Sequence, residues 1–270
     1  MRDPCYGLIA LFWILLAGPL AGFGWLALGT GGPPGRGSRQ AGGQDGASGN
    51  SAPALTTAAA RWRQLSERVA EFSRKGRLEE AVGFARQSVE TAEKVFGRRS
   101  RQLAESLATL AGLYRRQGKF SAAEPLSRRA LAIWEDTEGA QHPLVARALN
   151  DLAEACGGEG KYAEAEPLYQ RALAILERAG ATAQSGVARS LDGLGEISLA
   201  RRHYAEAERY FRRALAIREK ALGENHPDVA ISLNNLGELY RALGDYAEAD
   251  RLARRALAIW ESNMSTESNH

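Results

Sequence analysis

Side chains able to do chemistry are few in this chain, and their spacing does not assemble them. Among 270 residues there are four histidines and two cysteines, Cys5 and Cys156. His142 and His226 each stand immediately before a proline, 84 residues apart. To share a metal ion they would have to converge. Two steps of the repeat described below instead separate them by roughly 20 Å at helix-packing distances. Both therefore read as residues at helix starts. His203 occupies the position before Tyr204, and His270 ends the sequence. Cys156 has no histidine at a matching position to serve as its base, so it reads as a small buried filler, not a nucleophile. The sequence contains no G-x-x-x-x-G-K-[ST] phosphate loop, no H-E-x-x-H and no G-x-S-x-G. No catalytic residue, metal site, cofactor or small-molecule substrate is expected.

The totals exclude further classes. Thirty-five basic residues against 32 acidic ones leave a formal charge of +3, too balanced for a dedicated nucleic-acid binder. Two cysteines allow at most one disulfide, which rules out a stapled scaffold or a cysteine-based zinc finger. At 44% hydrophobic and 25% charged, the composition is that of a folded chain. The 29 glycines and 9 prolines are unevenly placed, with 13 and 5 of them in residues 1–54.

That leader divides in two. Tyr6–Gly29 is almost continuously apolar, and about 24 residues at about 1.5 Å each would span a bilayer as a helix. An uncleaved single-pass anchor over residues 1–29 is expected. A cleaved signal with its core at Leu8–Ala17 is the alternative, since that length also suits a secretory peptide. Either reading directs the chain to a membrane, with the remainder exported; secretion or a periplasmic location would follow cleavage. The flanking charges, Arg2 against Arg36 and Arg39, do not settle the orientation. Residues 30–54 are rich in Gly, Pro and Ser and show no hydrophobic period, so they read as a flexible linker reaching roughly 25–30 Å.

A 42-residue period organises the rest. The segments RLEEAV, KFSAAE, KYAEAE, HYAEAE and DYAEAD each follow a turn position, at Gly76, Gly118, Gly160, Arg202 and Gly244. RALAI recurs at Arg129, Arg171, Arg213 and Arg255, and a leucine-rich segment precedes each of the last four turns. Each unit resolves into two amphipathic helices, shown in the last unit by Val229, Leu233, Leu236 and Tyr240 before Gly244 and by Tyr246, Ala249, Ala253 and Leu257 after it. Pro143 and Pro227 suit a first helical position. Small residues at Ala111, Ala153, Gly195 and Gly237, and at Ala81 through Ala249 in the second helices, let paired backbones approach closely. Arg128, Arg212 and Arg254 follow Glu124, Glu208 and Asp250 by four residues and should pair with them along the helix.

Leu-Gly/Ala-x-x-Tyr, Gly-x-Tyr-x-x-Ala and Arg-Ala-Leu, in two helices per unit, resemble the tetratricopeptide repeat. The 42-residue spacing and stretches such as HPDVAISLNNLGELY are similar to the kinesin-light-chain variety. The resemblance implies an all-α, right-handed superhelical solenoid of about five helix-turn-helix units over residues 55–262, in units near 57–97, 98–139, 140–181, 182–223 and 224–262, with a polar tail at 263–270. It further implies a protein-interaction scaffold or adaptor that holds a peptide or partner domain in a concave groove lined by the first helices. The alternative is a regulatory accessory subunit of a separate enzyme or secretion complex. Carried onto this sequence, the groove positions are Glu105, Arg147, Arg189 and Ile231; Asn150, Asp192 and Asn234; Asp151 and Asn235; and Glu154, Glu196 and Glu238. Asparagine amides there could bind an extended peptide backbone. The crowding of acids argues against a simple carboxylate clamp and for a mixed groove preferring basic residues.

Several departures carry expectations of their own. Arg68 stands where later units have leucine, so unit 1 reads as a cap. Cys156 and Gly157-Gly158 replace the aromatic end of unit 3's first helix, which should fray early. Pro125 and Pro167 fall beyond the first turn of their helices and should each cost a backbone bond. The last pair should expose apolar surface near Trp260. The arginine ladder at 129, 171, 213 and 255 reads as a solvated face or, alternatively, as a surface for an acidic partner.

Overall fold

A computed structural model describes residues 51–267 of the chain. Ten α-helices make up the described residues, which contain no strand. They are α1 (Ser51–Arg74), α2 (Leu78–Phe96), α3 (Arg101–Arg116), α4 (Phe120–Glu138) and α5 (Pro143–Gly158), followed by α6 (Tyr162–Ala179), α7 (Gln184–Ala200), α8 (Tyr204–Leu222), α9 (Pro227–Leu243) and α10 (Tyr246–Glu267). A 3-10 turn, Gly180–Ala183, joins α6 to α7. Odd-numbered helices are the first of each unit and even-numbered helices the second. α1 starts at Ser51, four residues inside the segment expected to be linker, and α10 runs past residue 262 into the expected polar tail. The expected membrane segment, residues 6–29, and the rest of the leader lie outside the described residues. No helix among the described ones is long and apolar enough to cross a membrane.

Every helix pair is closed by the same turn. Gly118 N–H donates to Arg115 O and Lys119 N–H to Tyr114 O, both at 2.9 Å. The same two bonds recur at Gly76, Gly160, Arg202 and Gly244. This is a Schellman closure, which needs one residue in the left-handed region. Four of the five turns use glycine, with φ between 70° and 81°; the fifth forces Arg202 to φ 63°. Arg202 is the one non-glycine residue with positive φ among those described. Pro143 and Pro227 are the first residues of α5 and α9. The histidines before them cap those helices, His142 Nδ1 accepting from Leu144 N–H at 3.2 Å and His226 Nδ1 from Asp228 N–H at 3.1 Å.

Consecutive helices pack along the whole stack, and first helices also touch the first helices of neighbouring units from α3 to α9. That extra contact places the odd helices on the inner side of the curve. The small residues sit where paired helices cross: Ala81, Ala111, Ala123, Ala153, Ala165 and Ala207 are wholly buried, and a Cβ on Gly237 would lie 3.7 Å from the Ala249 carbonyl oxygen. In unit 1, Arg68 is exposed and its guanidinium lies over the Phe84 ring, while Val69 takes the buried place. Trp62 Nε1 donates to Ser106 Oγ at 2.8 Å, fastening α1 to α3.

Three expectations need correcting or completing. The first helix of unit 3 does not fray early: α5 runs through Gly158 with the same 16 residues as α3. Cys156 is wholly buried, and Gly158 makes room for the Phe120 ring, which any Cβ there would overlap. The aromatic missing from α5 is thus supplied by the preceding unit. α4 and α6 continue without a break through Pro125 and Pro167. At the far end Tyr246 and Leu257 are 72% and 52% exposed, whereas Trp260 is half-buried against the core.

Candidate functional site

The inner face of α3, α5, α7 and α9 carries an unusual density of buried charge. Asp151 and Glu154, one turn apart on α5, lie between arginines from the units on either side. Arg115 of α3 donates through Nη2 to Asp151 Oδ1 at 2.9 Å and through Nη1 to the Asp151 carbonyl at 2.7 Å. Arg189 of α7 donates to the same Oδ1 at 2.7 Å and to Glu154 Oε1. Burial alone would raise the Asp151 carboxyl, but Arg115 and Arg189 outweigh it and hold it at about 2. The same guanidinia lower Glu154 against its burial. Arg147, exposed on α5 one turn before Asp151, adds to that field.

A second buried pair lies one unit further on. Arg218 of α8 reaches Asp192 Oδ2 of α7 at 2.5 Å and donates to Ser232 Oγ of α9. Burial raises the Asp192 carboxyl, against the Arg218 guanidinium and the neighbouring Asn235 amide, which hold it down. Glu196, one turn beyond Asp192, is open to solvent but ringed by protein. Burial, Asp192 and Glu154 push its carboxyl up to about 8. Tyr169 of α6 is buried beneath this surface, its ring filling the space a side chain at Gly193 would take. Burial, Glu154 and Glu196 raise its hydroxyl well above the usual value.

The positions expected to line a groove therefore have different fates. Asn150 is 1% exposed, accepting from Ser190 Oγ at 2.9 Å and donating to the Gly186 carbonyl at 3.4 Å. Both ends of its amide are spent tying α5 to α7, so it has nothing to offer a bound backbone. Asp151, Glu154 and Arg189 come together as one ion cluster. Asp192 and Glu196 form the second group with Asn235. Asn234 is half-buried and Glu238 exposed beside Arg241 at 3.0 Å. Arg115 and Arg218 were not expected. Arg218 did carry a signal, because its repeat-equivalent positions hold Trp134, Leu176 and Trp260.

Chemistry elsewhere is already neutralised. Cys156 Sγ lies within 4.8 Å of carboxylate oxygens of Glu124 and Glu164, a grouping of metal-ligand type. Arg128 donates to Glu124 at 2.8 Å and to Glu164 at 2.7 Å, and Lys161 to Glu124 at 2.6 Å. Burial and Glu124 raise the thiol. A protonated thiol beside carboxylates that already hold cations is neither a nucleophile nor a ligand set. On the outer side the arginine ladder is a set of joints between units. Arg129, Arg171, Arg213 and Arg255 reach Glu93, Glu135, Glu177 and Glu219 at 2.7, 2.7, 2.5 and 2.7 Å. The expected pairs within helices are present as well, Arg128–Glu124, Arg212–Glu208 and Arg254–Asp250 at 2.7–2.9 Å.

The tetratricopeptide repeat pattern matches this chain over residues 64–136, 117–178 and 186–262. Among solved structures, it is similar to nearly identical tetratricopeptide-like repeats of a kinesin light chain type from Podosopora anserina. That match has 26% identity and a TM-score of 0.58, and covers 75% of this chain and 96% of that one. It is also similar to BtubC of P. vanneervenii at 23% identity and TM-score 0.56, covering 77% and 90%. A third similar structure is a Rap protein complexed with Competence and Sporulation Factor, at 19% identity and TM-score 0.65, covering 76% and 56%. The last two likenesses concern the fold. No match is found among curated proteins.

Proposed function

This chain belongs to the tetratricopeptide repeat family, and we propose that it is a non-enzymatic scaffold whose inner groove holds a peptide or a segment of a partner protein. One observation supports this most. Positions that build the stack are nearly the same in every unit, whereas the inner positions differ from unit to unit: Arg147, Arg189 and Ile231 in one row, Asp151, Gly193 and Asn235 in another. A surface that varies while its scaffold repeats is suited to reading a particular partner. Arg147, Asn234, Glu196 and Glu238 are reachable from solvent on that surface. Residues 6–29 would hold the scaffold at a membrane, with residues 30–50 as a leash.

A peptide array probed with the full chain tests the binding reading. Asn234→Ala combined with Glu238→Ala should lower retention at the bound spots at least fivefold, while Arg129→Ala on the outer face should leave it unchanged. An array without bound peptides, or binding lost only on the outer substitution, refutes the groove. The membrane reading is checked by alkaline extraction of membranes and a reporter fused after His270; a reporter active only in the cytoplasm overturns the exported orientation.

A further inference from the structure

The outer side of α10 is built like a junction between units, yet among the described residues no helix follows it; α10 packs on α9. Position 253 shows this most clearly. Its equivalents Ala85, Ser127, Tyr169 and Phe211 are all buried, whereas Ala253 is exposed. Tyr246 is exposed where Phe120, Tyr162 and Tyr204 are half-buried, and Leu257 where Leu131 is buried and Leu173 and Leu215 are half-buried. With the half-buried Trp260 these residues fall on one side of the helix as an apolar stripe. Two charged groups beside the stripe are halves of joints. The outer ladder ties Glu93, Glu135, Glu177 and Glu219 each to the arginine 36 residues on. Glu261 is the next in that series and has no cation among the described residues. Arg254 is the other half. At its register Arg128 donates through Nε to Glu124 of its own helix and through Nη2 to Glu164 of the next unit, and Arg212 reaches the next unit's Tyr240 hydroxyl. Arg254 makes the same bond within its helix, Nε to Asp250 at 2.7 Å, and its Nη groups meet no acceptor among the described residues.

We propose that this side of α10 is an interface between two copies of the chain, the two α10 helices meeting antiparallel across a twofold axis beside Leu257. Arg254 and Glu261 are seven residues apart, two helical turns, and so share one flank of the stripe. A twofold axis between antiparallel helices sets each flank against its own copy, so residues equally far from the axis on either side meet. With the axis beside Leu257, Arg254 of each copy meets the partner's Glu261. Both half-joints close at once, and Arg254 then bridges its own Asp250 and a neighbouring acid as Arg128 does. On the other flank Trp260 falls over the partner's Ala253, small where other units carry Tyr169 and Phe211. Leu257 packs on its own copy.

The start of a second copy does not fit the same surface. Unit 1 has Gln87 where the ladder arginine stands, so Glu261 would find no cation there. The exposed Glu67 occupies the register at which Gly193 admits Tyr169 of the preceding unit. Stacking end to start would bury that carboxylate unpaired against the apolar stripe. The contact is therefore isologous and closes at two copies. It is independent of the groove reading, since the inner face belongs to the odd-numbered helices and stays open in each copy.

The test follows the mass of the full chain in neutral detergent by light scattering across a dilution series. A dimer that dissociates on dilution is expected. Leu257→Glu should weaken association at least about tenfold, as loss of a central apolar anchor does. Its circular dichroism should be unchanged, because the residue is exposed in the single chain. Arg254→Glu and Glu261→Arg should each weaken association too, since each sets like charges opposite one another. Mixed in equal amounts, these two variants should associate again, because every joint of the mixed pair joins opposite charges. Glu67→Arg, at the other end of the stack, should change nothing. A monomer at every concentration, or assemblies that grow beyond two, overturns the interface. A dimer indifferent to Leu257→Glu, whether held through residues 1–50 or elsewhere, overturns it as well. So does a dimer lost on Glu67→Arg, or charge variants that mixing does not restore.

Discussion

The Arg202 turn offers the cleanest measurement of what the repeat demands of its sequence. Replacing Arg202 by glycine should stabilise the protein. Its backbone is left-handed at φ 63°, a conformation that costs an L-residue with a Cβ about 1–2 kcal/mol. Its side chain is exposed and makes no hydrogen bond or ion pair among the described residues, so its removal forfeits no contact. Against the relief stands the greater freedom of glycine in the unfolded chain, worth about 0.4–1 kcal/mol. The net gain is about 0.5–1 kcal/mol, or roughly 1–4 °C in melting temperature for a chain of this size. The reciprocal change, Gly160→Arg, isolates the same quantity with opposite sign. Gly160 has φ 76° and an added Cβ there would meet nothing within 4 Å, so strain in the backbone is the whole cost. Guanidinium unfolding followed by circular dichroism reads both variants. Hydrogen exchange at the amides of residues 202 and 203, which make the two closing bonds, reports the turn directly. If Arg202→Gly destabilises, or if the two substitutions shift stability in the same direction, the strain account is wrong.

Two further outcomes follow from the inner face. Gly193→Ala would drive a methyl into the Tyr169 ring and should cost about 1–3 kcal/mol, the range for overpacking; Tyr169→Leu should recover part of it, so a double-mutant cycle that shows strict additivity refutes the contact. Asp151, held at about 2 against an ordinary 3.8, contributes about 2 kcal/mol of stability above pH 4 at 1.36 kcal/mol per unit. Because the folded value is the lower one, that contribution is lost as pH falls from about 4 through 2. An acid titration of stability should show this loss in the wild type and not in Asp151→Asn; identical slopes would rule the ion cluster out as its source.

The architecture was legible because its determinants are local and recur. A 42-residue period, small residues at helix crossings and glycine at each turn announce the helix pairs, and His-Pro announces two helix starts. The inner face was legible only as a set of positions. Asn150 and Asn234 are equivalent by register, yet one spends its amide on Ser190 and Gly186 and the other remains half-exposed, a difference set by what the neighbouring unit presents. Arg115 reaches its partner 36 residues away in the next unit, and nothing about the residue itself points there. Arg218 was the exception, since an arginine in register with Trp134, Leu176 and Trp260 needs a buried acid, which Asp192 supplies. That Glu196 lacks an ion-pair partner among the described residues, while Asp151, Glu154 and Asp192 around it have one, depends on what the neighbouring units present and not on its own register.

The outer arginine–glutamate joints have an implication for how such a chain can change in length. Each joins residues 36 apart within a 42-residue period, so every junction presents the same pair of groups. Remove one internal unit, and the glutamate before the gap meets the arginine after it in the same relation; duplicate one, and the new junction is already matched. Copy number can therefore drift by whole units through recombination without redesign of the joint. The inner cluster has no such licence. Position 151 is aspartate in one unit only, its equivalents being Glu67, Thr109, Gly193 and Asn235, so a deleted unit would take its recognition surface with it. Length in this protein is interchangeable stock, while the order of its units is a message.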